Sequence, residues 1–108
     1  MAWRFVVSES STPGQYWWTL QSENNKLTAW SGETFASSFN ATRAAQAFKA
    51  GVHAAHFEVY EDKTNSWRWR AWRSSDKVAA SGEAFSSKYN AERAVDAVKA
   101  DTPDANGV

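Results

Sequence analysis

Seven consecutive residues, Trp67-Arg68-Trp69-Arg70-Ala71-Trp72-Arg73, interleave three indoles with three guanidinium groups. Such a mixture suits base stacking or capture of a protein surface, since both side chains supply contact area together with directed hydrogen bonds. Read as a strand, the segment splits into two rows, with Trp67, Trp69 and Ala71 on one face and Arg68, Arg70 and Trp72 on the other. Burying the arginine row would leave two guanidinium groups in need of buried partners, so the indole row belongs inside. The remaining residues with chemical potential are sparser. His53 and His56 form the one histidine pair, and in a helical connector their spacing would put both imidazoles on one face, where zinc accepts them. Two ligands do not complete a zinc site, and the chain has no cysteine and no acidic residue between them, so neither a metal nor a cofactor is expected. Serines are many, yet there is no G-x-S-x-G elbow, P-loop or dinucleotide fingerprint. Glu33 with Arg43, and Glu83 with Arg93, suit equivalent strand-to-helix ion pairs of little energetic weight. As catalytic acids these glutamates lack a partner, and the chain is expected not to be an enzyme.

Composition limits the partners. The 108 residues carry 12 basic and 12 acidic side chains, so no global field draws the chain onto a polyanion. Residues 52–108, which contain the Trp67 to Arg73 segment, hold eight basic and nine acidic residues and are not basic overall. The opening Met-Ala-Trp-Arg-Phe-Val-Val lacks the charged, long-apolar and small-residue pattern of a signal peptide, and no later apolar run approaches the ~20 residues that span a bilayer. A soluble, cytoplasmic protein with no membrane partner is the expectation. Seven Trp, three Tyr and six Phe are enough large rings to hold a small core, at about 1.5–3 kcal/mol for each one buried.

The elements that position these side chains are written twice. Ser31 to Ala50 aligns without a gap on Ser81 to Ala100 with 12 of 20 positions identical, the signature of an internal repeat. The alignment extends upstream: Tyr16 to Leu20 falls over Trp67 to Ala71, and Phe5-Val6-Val7 over Phe57-Glu58-Val59. Each copy reads as three short strands and a helix. In the first, strands cover residues 3–8, 15–21 and 26–31, with turns at the Ser-Ser-Thr-Pro-Gly stretch and at Glu23-Asn24-Asn25. In the second they cover residues 57–61, 67–73 and 77–81. Asn40 and Asn90 are good helix N-caps, but Ser37 and Ser87 place the start three residues earlier and are preferred here. Ala41, Ala44, Ala45 and Phe48, like Ala91, Ala94, Val95 and Val98, recur at helical spacing and give each helix a narrow apolar stripe. Gly51 suits the first C-terminus and Asp101-Thr102-Pro103 the second.

One such unit leaves a helix face and both sheet edges unpartnered, which two units packed together resolve. The expected fold class is therefore α+β: two tandem β-β-β-α repeats about a pseudo-twofold axis, an antiparallel sheet with helices on one face. The expected layout is one domain over residues 1–101, with repeats at 3–50 and 56–100 and a flexible tail at 102–108. Copy one supports the face assignment at Trp67 to Arg73, because its matching positions Tyr16, Trp18 and Leu20 are all large and apolar while Trp17, Thr19 and Gln21 are mixed. Gly32 and Gly82 supply either a special backbone conformation or a close approach.

The segments FEVYEDKTNSWRWR and SGEAFSSKYNAERAVDAVK resemble the YegP-like family of small tandem-repeat domains. The second copy matches closely and the first more loosely, with Pro13-Gly14 in place of a charged turn and Ser38 where Lys88 stands. The resemblance implies a β-β-β-α repeat paired within one chain or between two, and it implies no particular activity. Features found in one copy only are the better candidates for a specialised role. These are Arg68, Arg70 and Trp72 on the outer face, together with Tyr60 and Trp17 from neighbouring strands. The expected function is a non-catalytic interaction or stress-associated accessory module, with a protein partner or a second copy of the chain on that aromatic-basic face. Single-stranded nucleic acid is the alternative partner, disfavoured by the balanced charge.

Overall fold

The computed structural model describes residues 3–108. Strands β1 (Arg4–Glu9), β2 (Tyr16–Gln21) and β3 (Leu27–Trp30) precede helix α1 (Ser38–Gly51). Strands β4 (His56–Glu61), β5 (Trp67–Arg73) and β6 (Asp76–Ser81) precede helix α2 (Lys88–Asp101). All pairings are antiparallel, and the six strands form one sheet in the order β1-β2-β3-β6-β5-β4. Exchanging the repeats maps that order onto itself, so the pseudo-twofold axis passes between β3 and β6. The seam there is short, with Ala29 opposite Ser81 and Trp30 opposite Ala80.

Local chemistry explains the element ends. Ser37 and Ser87 are the N-caps, each Oγ accepting from the backbone N–H three residues on, at Asn40 and Asn90, over 3.1 Å. Gly14, Asn25, Asn65 and Ser74 take the left-handed conformation in the hairpin turns. Matching bulges fall between Leu20 and Gln21 and between Ala71 and Trp72. The two alternatives for the repeated glycine are each realised once. Gly32 has φ +78°, whereas a Cβ on Gly82 would collide with the backbone carbonyl of Leu27. Gly51 is the last residue of α1, before the C-cap Val52, and its lack of a side chain makes room for the Arg73 guanidinium, which donates to the Ala47 carbonyl oxygen at 3.0 Å.

Helix α1 lies on β1 and β2 while α2 lies on β4 and β5, all on one side of the sheet. The apolar stripes face inward through Ala41, Ala45 and Phe48 and through Ala91, Val95 and Val98. A chain of rings binds the repeats into one core: Phe5 on Trp18 (5.3 Å), Trp18 stacked on Phe48 (5.2 Å), Phe48 on Phe57 (6.5 Å) and Phe57 on Trp69 (5.5 Å).

Residues 102–108 are not the loose tail that the sequence suggests. Thr102–Asp104 form a 3₁₀ turn, Thr102 and Ala105 are buried, and Asn106 bridges β1 in parallel at Arg4. The Phe5 N–H donates to the Asn106 carbonyl and the Asn106 N–H to the Trp3 carbonyl, both at 2.8 Å. The reason is the open edge of β1, whose unpaired backbone groups accept the returning chain.

Candidate functional site

The side of the sheet away from the helices is where the outward rows meet. On β5, Trp69 and Ala71 are fully buried while Arg68, Arg70 and Trp72 are half-buried on the opposite face. Register then selects their neighbours. Thr19 faces Trp30, Trp30 faces Ala80, Ala80 faces Arg70 and Arg70 faces Glu58, forming one row across β2, β3, β6, β5 and β4.

At the repeat-two end of this row, Arg70 is held on three sides. Its Nε donates to Glu58 Oε1 at 2.6 Å, and the guanidinium carbon lies 4.3 Å from the Tyr60 ring centroid and 5.5 Å from that of Trp72. The Trp72 indole N–H donates to the same Glu58 oxygen at 3.2 Å. Beside them, Arg68 Nε donates to Asp62 Oδ2 at 2.8 Å. Asp62 is itself fixed by its turn, where Oδ1 accepts from the Thr64 N–H (2.8 Å), the Thr64 hydroxyl (2.7 Å) and the Ser66 N–H (3.1 Å). The arginine side chains remain 41 % and 36 % exposed for Arg68 and Arg70, so both are reachable from solvent although their charge is matched within the face.

Trp17 is not part of this cluster. It sits on β2, separated from β5 by β3 and β6, and its indole N–H donates to Ser8 Oγ at 3.1 Å. Its ring partner is Trp30, edge-on with centroids 5.6 Å apart. The predicted set is therefore two groups on one face, Arg68, Arg70, Trp72 and Tyr60 in repeat two and Trp17 with Trp30 in repeat one, with the small Ala80 between them. Trp30 was legible by the criterion that picked the others: aligning Ser31 on Ser81 puts it over Ala80, making it an aromatic found in one copy only.

Other candidates are dispersed. His53 lies in the turn after α1 and His56 opens β4 opposite Trp72, so no helical face unites them. Among the described residues no group of three or more His, Cys, Asp or Glu side chains is placed to hold a metal. The expected Glu33–Arg43 and Glu83–Arg93 pairs do not form. Glu83 instead meets Lys26 of the other repeat at 3.1 Å, and each arginine sits over the ring four residues before it in its own helix, Arg43 over Phe39 and Arg93 over Tyr89, both at 5.7 Å. Phe39 and Tyr89, 66 % and 63 % exposed, are the most exposed large hydrophobic residues among those described. The aromatic character shared by these aligned positions gave no hint of that exposure.

No sequence-family profile matches the chain, and no curated protein matches it by sequence. Solved structures do. The protein of unknown function yegP from E. coli aligns with a TM-score of 0.82 at 17 % identity, over 99 % of this chain and 91 % of that one. The chain has the yegP fold. A UPF0339 protein from Shewanella oneidensis shares it, with a TM-score of 0.79 at 14 % identity over the same shares. The architecture that the SGEAFSSKYN segment suggested is thus present, and at such identities the yegP likeness concerns fold alone.

Charge matching on this yegP-type sheet has a pH signature. The hydrogen bond from Arg70, then that from Trp72, holds the Glu58 carboxyl below its ordinary value, and the bond from Arg68, then that from Thr64, holds Asp62 well below its own. Carboxylates depressed in the folded state contribute stability that is full above the ordinary carboxylate range and is lost as pH falls through the folded values. Thermal midpoints measured from pH 7 to about pH 2 should therefore fall on the acid side, and less steeply in Asp62→Asn than in the parent chain. Parallel acid limbs would remove Asp62 from the account.

Proposed function

We propose that the chain is a non-catalytic interaction module that holds a protein partner on the open sheet face through Tyr60, Arg68, Arg70 and Trp72, extended by Trp17 and Trp30. The observation that carries this reading is the Arg70 guanidinium, stacked against Tyr60 and Trp72 and bound by Glu58 before any partner arrives. A pre-ordered arginine between aromatic rings loses little side-chain freedom on docking, and Trp, Tyr and Arg are the residues that dominate interface energetics. Pairing Arg70 with Glu58 and Arg68 with Asp62 leaves the cluster without net positive charge, which favours a protein surface, a second copy of the chain included, over a phosphate backbone.

The test is the pair Arg70→Ala with Trp72→Ala, compared with the parent in a pull-down and in sedimentation. The expected outcome is at least ~30-fold weaker binding of the partner or dimer with an unchanged circular dichroism spectrum. Binding that survives the double substitution would sink the proposal. So would tryptophan quenching by oligonucleotides that weakens steeply with salt, which assigns the face to single-stranded nucleic acid instead.

A further inference from the structure

The repeats build two equivalent clefts on the helix side of the sheet, each between the Ser-Gly-Glu loop and helix of one repeat and a hairpin turn of the other. Register matches their rims. Gln21 faces Leu27 after one bulge and Trp72 faces Lys77 after the other, so Lys26, Leu27 and Thr28 correspond to Asp76, Lys77 and Val78. The glycines agree: Leu27 lies over Gly82 and Lys77 lies over Gly32.

Equivalent position does not mean equivalent chemistry. In the cleft of repeat two, Trp3 lines the wall and Lys26 Nζ reaches Glu83 at 3.1 Å. In the cleft of repeat one, Asp76 stands where Lys26 does, so Glu33 shares the cleft with a carboxylate instead of an ammonium. Neither Glu33 nor Asp76 forms an ion pair among the described residues. Alignment of Phe5 with Phe57 also puts Ala55 in the place of Trp3. This cleft is open, about 590 Å³, with Phe35, Ala44 and Val78 among its apolar walls, a volume in the range of small-molecule sites.

We infer that the repeat-one cleft binds a small amphipathic amine, a primary ammonium on an apolar stem about as long as a lysine side chain. The ammonium takes the place that Lys26 occupies in the twin cleft, between Glu33 and Asp76, and the stem lies along Phe35 and Val78. Two cations also line this cleft: the Arg73 guanidinium donates to the Ala47 carbonyl near the end of α1 and the Lys77 stem runs along Gly32, and among the described residues neither forms an ion pair with Glu33 or Asp76. The internal comparison is what selects an amine, because the same scaffold already seats one there in its other half.

Titration calorimetry of the full chain with hexylamine, hexanol and hexanoate tests the assignment. Hexylamine should bind one-to-one with a Kd on the order of 1 mM, at least ~10-fold tighter than the other two. Glu33→Gln with Asp76→Asn should weaken it at least ~10-fold, at an unchanged thermal midpoint. Asp76→Lys installs the twin cleft's arrangement and should abolish binding in a folded protein. Absence of saturable hexylamine binding, equal binding of hexanoate, or full binding by folded Asp76→Lys would each overturn the assignment.

Discussion

Trp69→Ala is expected to lower the unfolding free energy by about 3–5 kcal/mol, a large share of the ~5–15 kcal/mol that holds a typical domain. Trp69 is fully buried on β5, packs against Phe57 and belongs to the ring chain that joins the repeats. Its neighbour Arg68 faces the other way with its side chain 41 % exposed, so Arg68→Ala should cost no more than about 1 kcal/mol. Urea unfolding of the two variants therefore separates the rows of the Trp67 to Arg73 segment, and the reverse ranking would mean the strand is turned over. Trp69→Phe refines the test. The indole N–H of Trp69 is buried without a hydrogen-bond partner, as is that of its counterpart Trp18. Phenylalanine removes that unsatisfied donor together with part of the ring, so it should cost well under the alanine change.

Why this face assignment was legible in the sequence, and other features were not, comes down to locality. Within one strand, alternation and the second copy are enough: Tyr16, Trp18 and Leu20 name the inner row of β2 and thereby that of β5. The Ser37 and Ser87 caps are equally local, each needing only a serine three residues before the bond it accepts. The Lys26–Glu83 pair is different, because it crosses between repeats and exists only once β3 and β6 are joined. Pairing Glu33 with Arg43 within one copy was the natural sequence reading, and the fold instead sets Arg43, like Arg93, over a ring of its own helix. On the candidate face, Tyr60, Arg68, Arg70 and Trp72 were placed together by strand alternation and hairpin register. Trp17 was misplaced relative to them because strand order across the seam is not written in any single strand. That same strand order puts Trp30 on the face beside Trp17.

Removing residues 102–108 should destabilise the chain by about 2–4 kcal/mol, the second-largest expected effect. The segment buries Thr102 and Ala105, adds Val108 to the edge of the core and exchanges two backbone hydrogen bonds through Asn106, one with Phe5 of β1 and one with Trp3 just before it. Gly107 permits the close approach, with φ +100° and a missing Cβ that would run into the Phe5 carbonyl. The docked segment also covers part of the β1 edge, so its removal should raise self-association through that strand as well as lower the urea midpoint. Gly107→Ala provides a milder version of the same change in a chain of full length, with a smaller drop expected at the same edge. A midpoint unchanged by truncation would place residues 102–108 outside the cooperative unit and return the domain boundary to Asp101, where the sequence put it.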